Sequence, residues 1–391
     1  MNKKLLKSGI EDFISNNLNT DIVSVLLKKS PFPKITPKEL AQQLQGAQIA
    51  QNKLPSWFKT TGILYPKKLH LEQSSSEVTA LYKSQIVRGK TLLDMTGGFG
   101  VDATAFASEI ECVFYCETNE ELAQITSHNF EQMKVQNVHC HIGDGVDFLA
   151  SHNSTFDWIY LDPSRRSGSK KLISLDTYEP NILELIKDLF TKSSNILLKT
   201  SPLLDLKLGL KQLQNVAEVH VVAVRNEVKE LLWVLGKNVQ TETSITAVNI
   251  CDSVDYKLTY TLSEEQMATP YYGDPQAYLY EPNAAILNAG AFGLVGLKHG
   301  VQKLSKHSHL YTSKEKVDFP GRSFQIVETL HFSNKWNSDK TINKANITTR
   351  NFPLSVKEIR NRFKIKEGGE EYLFFTTLES GEKQIIKCIR C

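Results

Sequence analysis

Between residues 91 and 235 the chain repeats one pattern: a short apolar run, a polar-faced stretch of helical length, then another apolar run. Strands are expected at 91–95, 112–117, 138–142, 158–162, 195–199, 219–224 and 230–235. Helices are expected at 101–108, 119–134, 145–150, 182–190 and 204–213. Apolar strands spaced by helices pair in parallel and are covered on both faces. Only residues 225–229 join the last two strands, too few for a crossover helix, so that pair should close antiparallel. The pattern predicts an α/β fold: a Rossmann-like sheet of parallel strands with an antiparallel closing strand.

Ten residues inside this region carry the most chemistry: Leu92-Leu93-Asp94-Met95-Thr96-Gly97-Gly98-Phe99-Gly100-Val101. An apolar strand ends in a carboxylate, a glycine-rich turn follows, and a helix opens with Val101-Asp102-Ala103. Such a turn lets the backbone approach a ligand beside the free N–H groups of a helix start. Two cofactors use a loop of this kind. A dinucleotide would set its pyrophosphate there, and the residues from Gly98 to Ala103 satisfy the loose G-x-G-x-x-G/A string. S-adenosylmethionine would lay its amino-acid portion over Thr96, Gly97, Gly98, Gly100 and Asp102, with Asp94 attracting its ammonium group.

Asp94 would repel a pyrophosphate. Glu117, beside Thr118 at the end of the second strand, suits the ribose hydroxyls of either cofactor. Asp144, just before Gly145, suits an adenine amino group, and Asp162 ends the fourth strand. The ordered set of strand-end carboxylates favours S-adenosylmethionine and methyl transfer. A scaffold of this shape without a ligand is the structural alternative.

The order Asp94 to Gly100, Glu117, Asp144 and Asp162-Pro163 resembles the class I S-adenosylmethionine-dependent methyltransferase family over residues 70–236. More closely, Asp162-Pro163-Ser164-Arg165-Arg166, Tyr280-Glu281-Pro282 and Asn351-Phe352-Pro353 resemble a bacterial methyltransferase-like group. That group carries a ferredoxin-like insert and a C-terminal THUMP-like domain, and the resemblance implies RNA as a partner. In amino-methylating members of the wider family, the fourth strand ends in Asn/Asp-Pro-Pro-aromatic, which binds an exocyclic amine. Asp162 and Pro163 match its first half and become the catalytic candidates. Ser164-Arg165 replace its second half, removing the aromatic that would stack on a flipped base. Arg165 and Arg166 are candidates for clamping a phosphate or carboxylate, with a strand-end salt bridge as the structural alternative. The resemblance also implies that the segment before the first strand folds over the cofactor, so Gln73 or Ser74 would touch it while Ser76 caps a helix.

Composition sets the remaining bounds. A length of 391 residues suits two or three domains, and 41% hydrophobic with 23% charged residues excludes wholesale disorder. No apolar run approaches the ~20 residues of a membrane span, and the basic start at Met1 lacks the apolar core of a signal peptide. The six cysteines lie mostly in strand-like runs and suggest a reduced, cytoplasmic chain without disulfides. Cys112, Cys116 and Cys140 fall on strands two and three, away from the position of a cysteine nucleophile. The Cys388–Cys391 pair and His139-Cys140-His141 fit alternating strand residues, so no metal site is expected.

The net charge is +3, but residues 298–364 hold 14 Lys or Arg against 5 Asp or Glu. A basic block on an acidic body is the asymmetry of a nucleic-acid-binding module, or of a plain solvated surface. A helix is expected at 355–363, and Arg350, Arg360 and Arg362 become candidate RNA contacts. Pro282 should open a further helix over 283–297. The expected organisation is a helical arm (1–70), a methyltransferase domain (71–238), a ferredoxin-like insert region (239–320) and a THUMP-like α+β domain (321–391). The function expected is S-adenosylmethionine-dependent methylation of structured RNA, ribosomal or transfer. The alternatives are a cofactor-binding but inactive RNA-binding protein and a methyltransferase of a small acidic molecule. Oligomeric state has no signature in the sequence.

Overall fold

The computed structural model describes residues 2–6, 8–165, 174–252, 254–333, 336–337 and 342–391. Its chain divides into two compact units, residues 1–217 with 231–240, and residues 218–230 with 241–391. All seven strands expected before residue 236 form, with bounds shifted by at most three residues. They are β1 (Gly89–Asp94), β2 (Ile110–Glu117), β3 (Val138–Ile142), β4 (Phe156–Leu161), β5 (Ser193–Thr200), β6 (Val216–Val224) and β7 (Glu227–Gly236).

In the first unit the sheet order is β7-β5-β4-β1-β2-β3. The pairs β5–β4, β4–β1, β1–β2 and β2–β3 are parallel, and β7 runs antiparallel to β5. The chain therefore starts at the centre, winds outward to β3, then returns to the other side of β1. That reversal between β1 and β4 opens a crevice at the C-terminal strand ends, where open parallel sheets bind ligands. The hairpin β6–β7 turns on Arg225 and Asn226, both at positive φ (49° and 65°), as two-residue hairpins require.

The N-terminal arm is part of this unit. Helix Pro37–Lys53 opens with the expected capping box: the Glu39 N–H donates to Thr36 Oγ1, and the Thr36 N–H donates to the Glu39 carboxylate at 2.8 Å. Its residues Leu40, Leu44 and Ala47 share one core with Trp57, Phe99 and Val101. The rings of Trp57 and Phe99 lie 4.7 Å apart, so the arm buttresses the glycine-rich turn directly. Buried amides fix the connecting segment: Gln43 brackets the Tyr65 N–H and C=O, and Asn129 brackets those of Leu64 at 2.9 Å each.

In the second unit, β8 (Ser244–Ile250) pairs parallel with β6, and β9 (Tyr256–Thr261) pairs antiparallel with β8. A second sheet contains β10 (Tyr278–Pro282), β11 (Tyr311–Ser313), β12 (Gly321–His331), β13 (Asn346–Arg350), β14 (Glu371–Thr377) and β15 (Lys383–Arg390). Its order is β11-β10-β12-β15-β14-β13, with Gln302–Lys303 outside β11. Alternation along β14 feeds two cores: Phe374 packs with Phe324 and Ile386, while Leu373 and Phe375 pack with Ile359 and Phe363. The expected helix at 283–297 is corrected by the structure. Pro282 ends β10, Asn283 caps Ala284–Ala289, and Gly290 at φ 85° breaks the chain before Phe292–Lys298. Among the described residues no helix is long and apolar enough to cross a membrane.

Glu281 ties this sheet together. It is buried on β10, and both of its oxygens are taken by guanidinium groups. Arg322, opposite it on β12, donates through Nε at 2.8 Å and through Nη2, while Arg350 donates through Nε at 3.1 Å and Nη2 at 2.8 Å. Glu281→Ala should lower stability by about 2–3 kcal/mol, because two partly buried cations lose their acceptor. Urea unfolding should show a lower midpoint, and an unchanged midpoint would remove Glu281 from this role.

Candidate active site

The sheet order of the first unit gathers the predicted residues along one edge. A cleft of about 880 Å³ opens there, bordered by the glycine-rich turn, Glu117, Thr118, Asp144, Gly145, Asp162, Lys199 and the segment around Gln73–Ser75. From β3 to β5 the side chains follow the strand order: Asp144 after β3, Glu117 on β2, the turn and Asp102 after β1, Asp162 after β4, Lys199 on β5.

The turn is held by β2 and the helix behind it. The Gly97 N–H donates to Cys116 O at 2.8 Å. Gly98 O accepts from the Tyr115 hydroxyl at 2.6 Å and the Thr126 hydroxyl at 3.2 Å. Gly100 begins the helix Val101–Phe106 at φ 78°, and a Cβ there would fall 2.4 Å from Thr126. Gly98 has φ 54° and would meet nothing nearer than 3.8 Å, so its surface faces open space. Glycine is required at Gly100, where a side chain would be strained by the positive φ and strike Thr126, while Gly98 leaves its backbone open.

Each carboxylate has a different environment. Glu117 accepts from the Gly98 N–H at 3.0 Å and the Asn119 N–H at 2.7 Å. Asp144 caps Gly145–Ser151 by accepting from the Val146 N–H at 2.6 Å. The Asp162 N–H donates to Thr96 Oγ1 at 2.7 Å, and its side chain forms an ion pair with Lys199. Asp102 Oδ2 accepts from Ser75 at 2.8 Å and Tyr160 at 2.9 Å, while Oδ1 lies 3.2 Å from the ammonium of Lys83. Burial would raise the Asp102 pKa, but Lys83, Lys199 and the two hydroxyls outweigh it and hold the group below the ordinary carboxylate value.

Asp94 lies apart from these. It is 1% exposed and does not border the cleft. One oxygen accepts from the Thr96 N–H at 3.0 Å, and the other is buried without a hydrogen-bond partner among the described residues. Burial, and then the charges of Asp102, Asp162 and Glu117, push its pKa well above the usual range despite the Thr96 bond. Burial therefore opposes the charged form at Asp94, the residue expected to attract a ligand ammonium.

The other predicted residues divide as follows. Thr96, Gly97, Gly98, Gly100, Asp102, Glu117, Thr118, Asp144, Gly145 and Asp162 border the cleft, whereas Pro163 is buried and does not. Arg165 is in a short ladder, its backbone paired with Tyr178 beside Ser164–Glu179. Arg166 and the side chain of Arg165 lie outside the described residues. In the second unit Arg350 is bound to Glu281, and Arg360 donates to the carbonyls of Ile365 and Ala345, so both guanidinium groups have structural partners. Arg362 is exposed. The sequence reading passed over Lys199, Ser75 and Glu179, which border the cleft. Lys199 had a signal, since Leu197-Leu198-Lys199 ends an apolar strand as Tyr160-Leu161-Asp162 does.

Asp94 gives the site a pH signature. A carboxyl whose pKa is raised on folding contributes stability below the unfolded value, near 4, and loses it as pH rises toward the folded value. Asp94→Asn cannot ionise. Its stability relative to the unaltered chain should therefore climb as pH rises above about 4 in urea titrations, and a constant difference would contradict the raised pKa.

Known proteins resemble this chain over much of its length. Residues 278–320 match the family described as a ferredoxin-like domain, and residues 321–390 match the family described as THUMP domain-like. The crystal structure of a protein from Porphyromonas gingivalis W83, described as a candidate methyltransferase, is 34% identical, covering 100% of this chain and 99% of its own, with a TM-score of 0.87. A Mycobacterium tuberculosis protein described as an uncharacterized S-adenosylmethionine-dependent methyltransferase is 20% identical over 82% of this chain and 87% of its own length. A Mycoplasma mobile protein described as an uncharacterized RNA methyltransferase is 27% identical over 143 residues, 35% of this chain and 39% of its own length.

Proposed function

Since the chain belongs to the family of S-adenosylmethionine-dependent methyltransferases with a ferredoxin-like and a THUMP-like domain, we propose that it methylates structured RNA, ribosomal or transfer. The observation that carries this reading is the coincidence of the THUMP-like residues 321–390 with much of the basic block at 298–364. The similarity to a protein named as an RNA methyltransferase adds to it. Six unpaired cysteines suit a reducing compartment, and the cytoplasm is the compartment proposed.

The cleft fits the cofactor by its donor set. Glu117 accepts one backbone bond on each oxygen, and a carboxylate has lone pairs left for two ribose hydroxyls. Asp144, next along the strand ends, would take the adenine amino group. The open backbone at Gly98 leaves room for the chain between sugar and amino acid. When bound, the cofactor supplies a methyl group on a sulfonium, and what remains for the protein is alignment. Asp162 is fixed at both ends, through its N–H to Thr96 and through its carboxylate to Lys199. It can accept a hydrogen bond from an N–H nucleophile and hold that nitrogen at one position. Glu117→Ala should weaken cofactor binding by about 1.5–3 kcal/mol in calorimetry, and unchanged affinity would exclude this use of the cleft.

RNA contacts are proposed on the cations that the fold leaves exposed rather than on Arg350 and Arg360. Lys357, Arg362 and Lys364 are exposed on and just after helix Val356–Phe363. Each phosphate neutralised steepens the salt dependence of affinity by about 0.7–0.9 logarithmic units. Removing these three charges should therefore flatten the slope by about two to three units. The direct test incubates the full chain with labelled S-adenosylmethionine and RNA from a cell lacking this protein, followed by nucleoside analysis. Label in one modified nucleoside supports the reading. Cofactor binding without transfer would favour an inactive RNA-binding protein instead.

A further inference from the structure

Among the described residues of the first unit, Lys83 is the most deeply buried cation, and the proposed chemistry does not use it. It sits on helix Glu77–Ser84, which Ser76 caps, and its side chain is 0% exposed. Its ammonium donates to Ser75 Oγ at 3.0 Å and lies 3.2 Å from Asp102 Oδ1. Ser75 in turn donates to Asp102 Oδ2 at 2.8 Å, closing a ring of three residues, and the Tyr160 hydroxyl meets the same oxygen. Ser75 and Asp102 border the cleft, whereas Lys83 does not. A buried ion pair is seldom worth its desolvation as a source of stability alone, so its position at a ligand cleft asks for a use.

The strand order gives that use. If adenine and ribose take Asp144 after β3 and Glu117 on β2, the amino-acid end of the cofactor reaches the next position along the edge, over the turn after β1. Asp94 does not border that part of the cleft. Asp102 and Ser75 do border it. We propose that Lys83 is a positioning residue that holds Asp102 and Ser75 as the receptor for the ammonium-bearing end of the cofactor. This rests on the cofactor reading above and takes no account of the methyl acceptor.

Calorimetry on the full chain tests it with two probes. S-adenosylhomocysteine carries the amino-acid end, and 5′-methylthioadenosine keeps the adenosine and thioether but lacks that end. Lys83→Met should weaken S-adenosylhomocysteine binding at least tenfold and methylthioadenosine binding less than threefold. Lys83→Arg should recover most of the loss. Ser75→Ala, which leaves the ion pair in place, should show the same selective loss in smaller measure. Retained methylthioadenosine binding reports an intact fold. Equal losses for both probes, or none, would make Lys83 a purely structural residue and overturn the proposal. An unaltered chain that binds neither probe would remove the cofactor reading itself, and this assignment with it.

Discussion

Parallel strands must all end on the same edge of their sheet, and the rest of this site follows from that. Five such strands bring the residues after them into one row, though they lie up to about a hundred positions apart in sequence. The return of the chain across β1 separates the neighbouring connections and leaves a crevice above the row. Glycine is then required where the backbone must turn inside the crevice, and Tyr115 and Thr126 hold that turn by a single carbonyl, Gly98 O.

The same geometry creates an electrostatic difficulty. Asp94, Asp102, Glu117, Asp144 and Asp162 crowd one edge, and like charges at low dielectric repel strongly. The protein answers differently for each. Asp94 is buried, and burial raises its pKa. Asp102 is balanced by Lys83, and Asp162 by Lys199. Glu117 and Asp144 accept backbone N–H groups at the cleft surface. The carboxylates that face the cleft are the ones with a cation or a backbone donor at their back.

Much of this was legible from local pattern. Glu117, Asp144 and Asp162 each end or follow an apolar run, so their place on the sheet edge followed from the alternation alone. The fates of charges were less legible, because their partners come from elsewhere in the chain. Lys83 reaches Asp102 from the helix that Ser76 caps, and Lys199 reaches Asp162 from the next strand of the sheet, 37 residues later. Arg350 is a candidate RNA contact by sequence, and Glu281, 69 residues before it, holds its guanidinium. The helix expected at 283–297 failed at Gly290, where the φ of 85° ends one helix in a composition that otherwise favours continuing it. In each case the local pattern named the element and the tertiary neighbour decided the role.

The central claim is that the row of strand-end carboxylates is the cofactor site, read from β3 toward β4. A crystal structure of the full chain with S-adenosylhomocysteine tests it most directly. The account predicts adenine at Asp144, ribose hydroxyls on Glu117, and the amino-acid end over the turn beside Ser75 and Asp102. A ligand lying in the reverse direction, or bound away from this cleft, would contradict it.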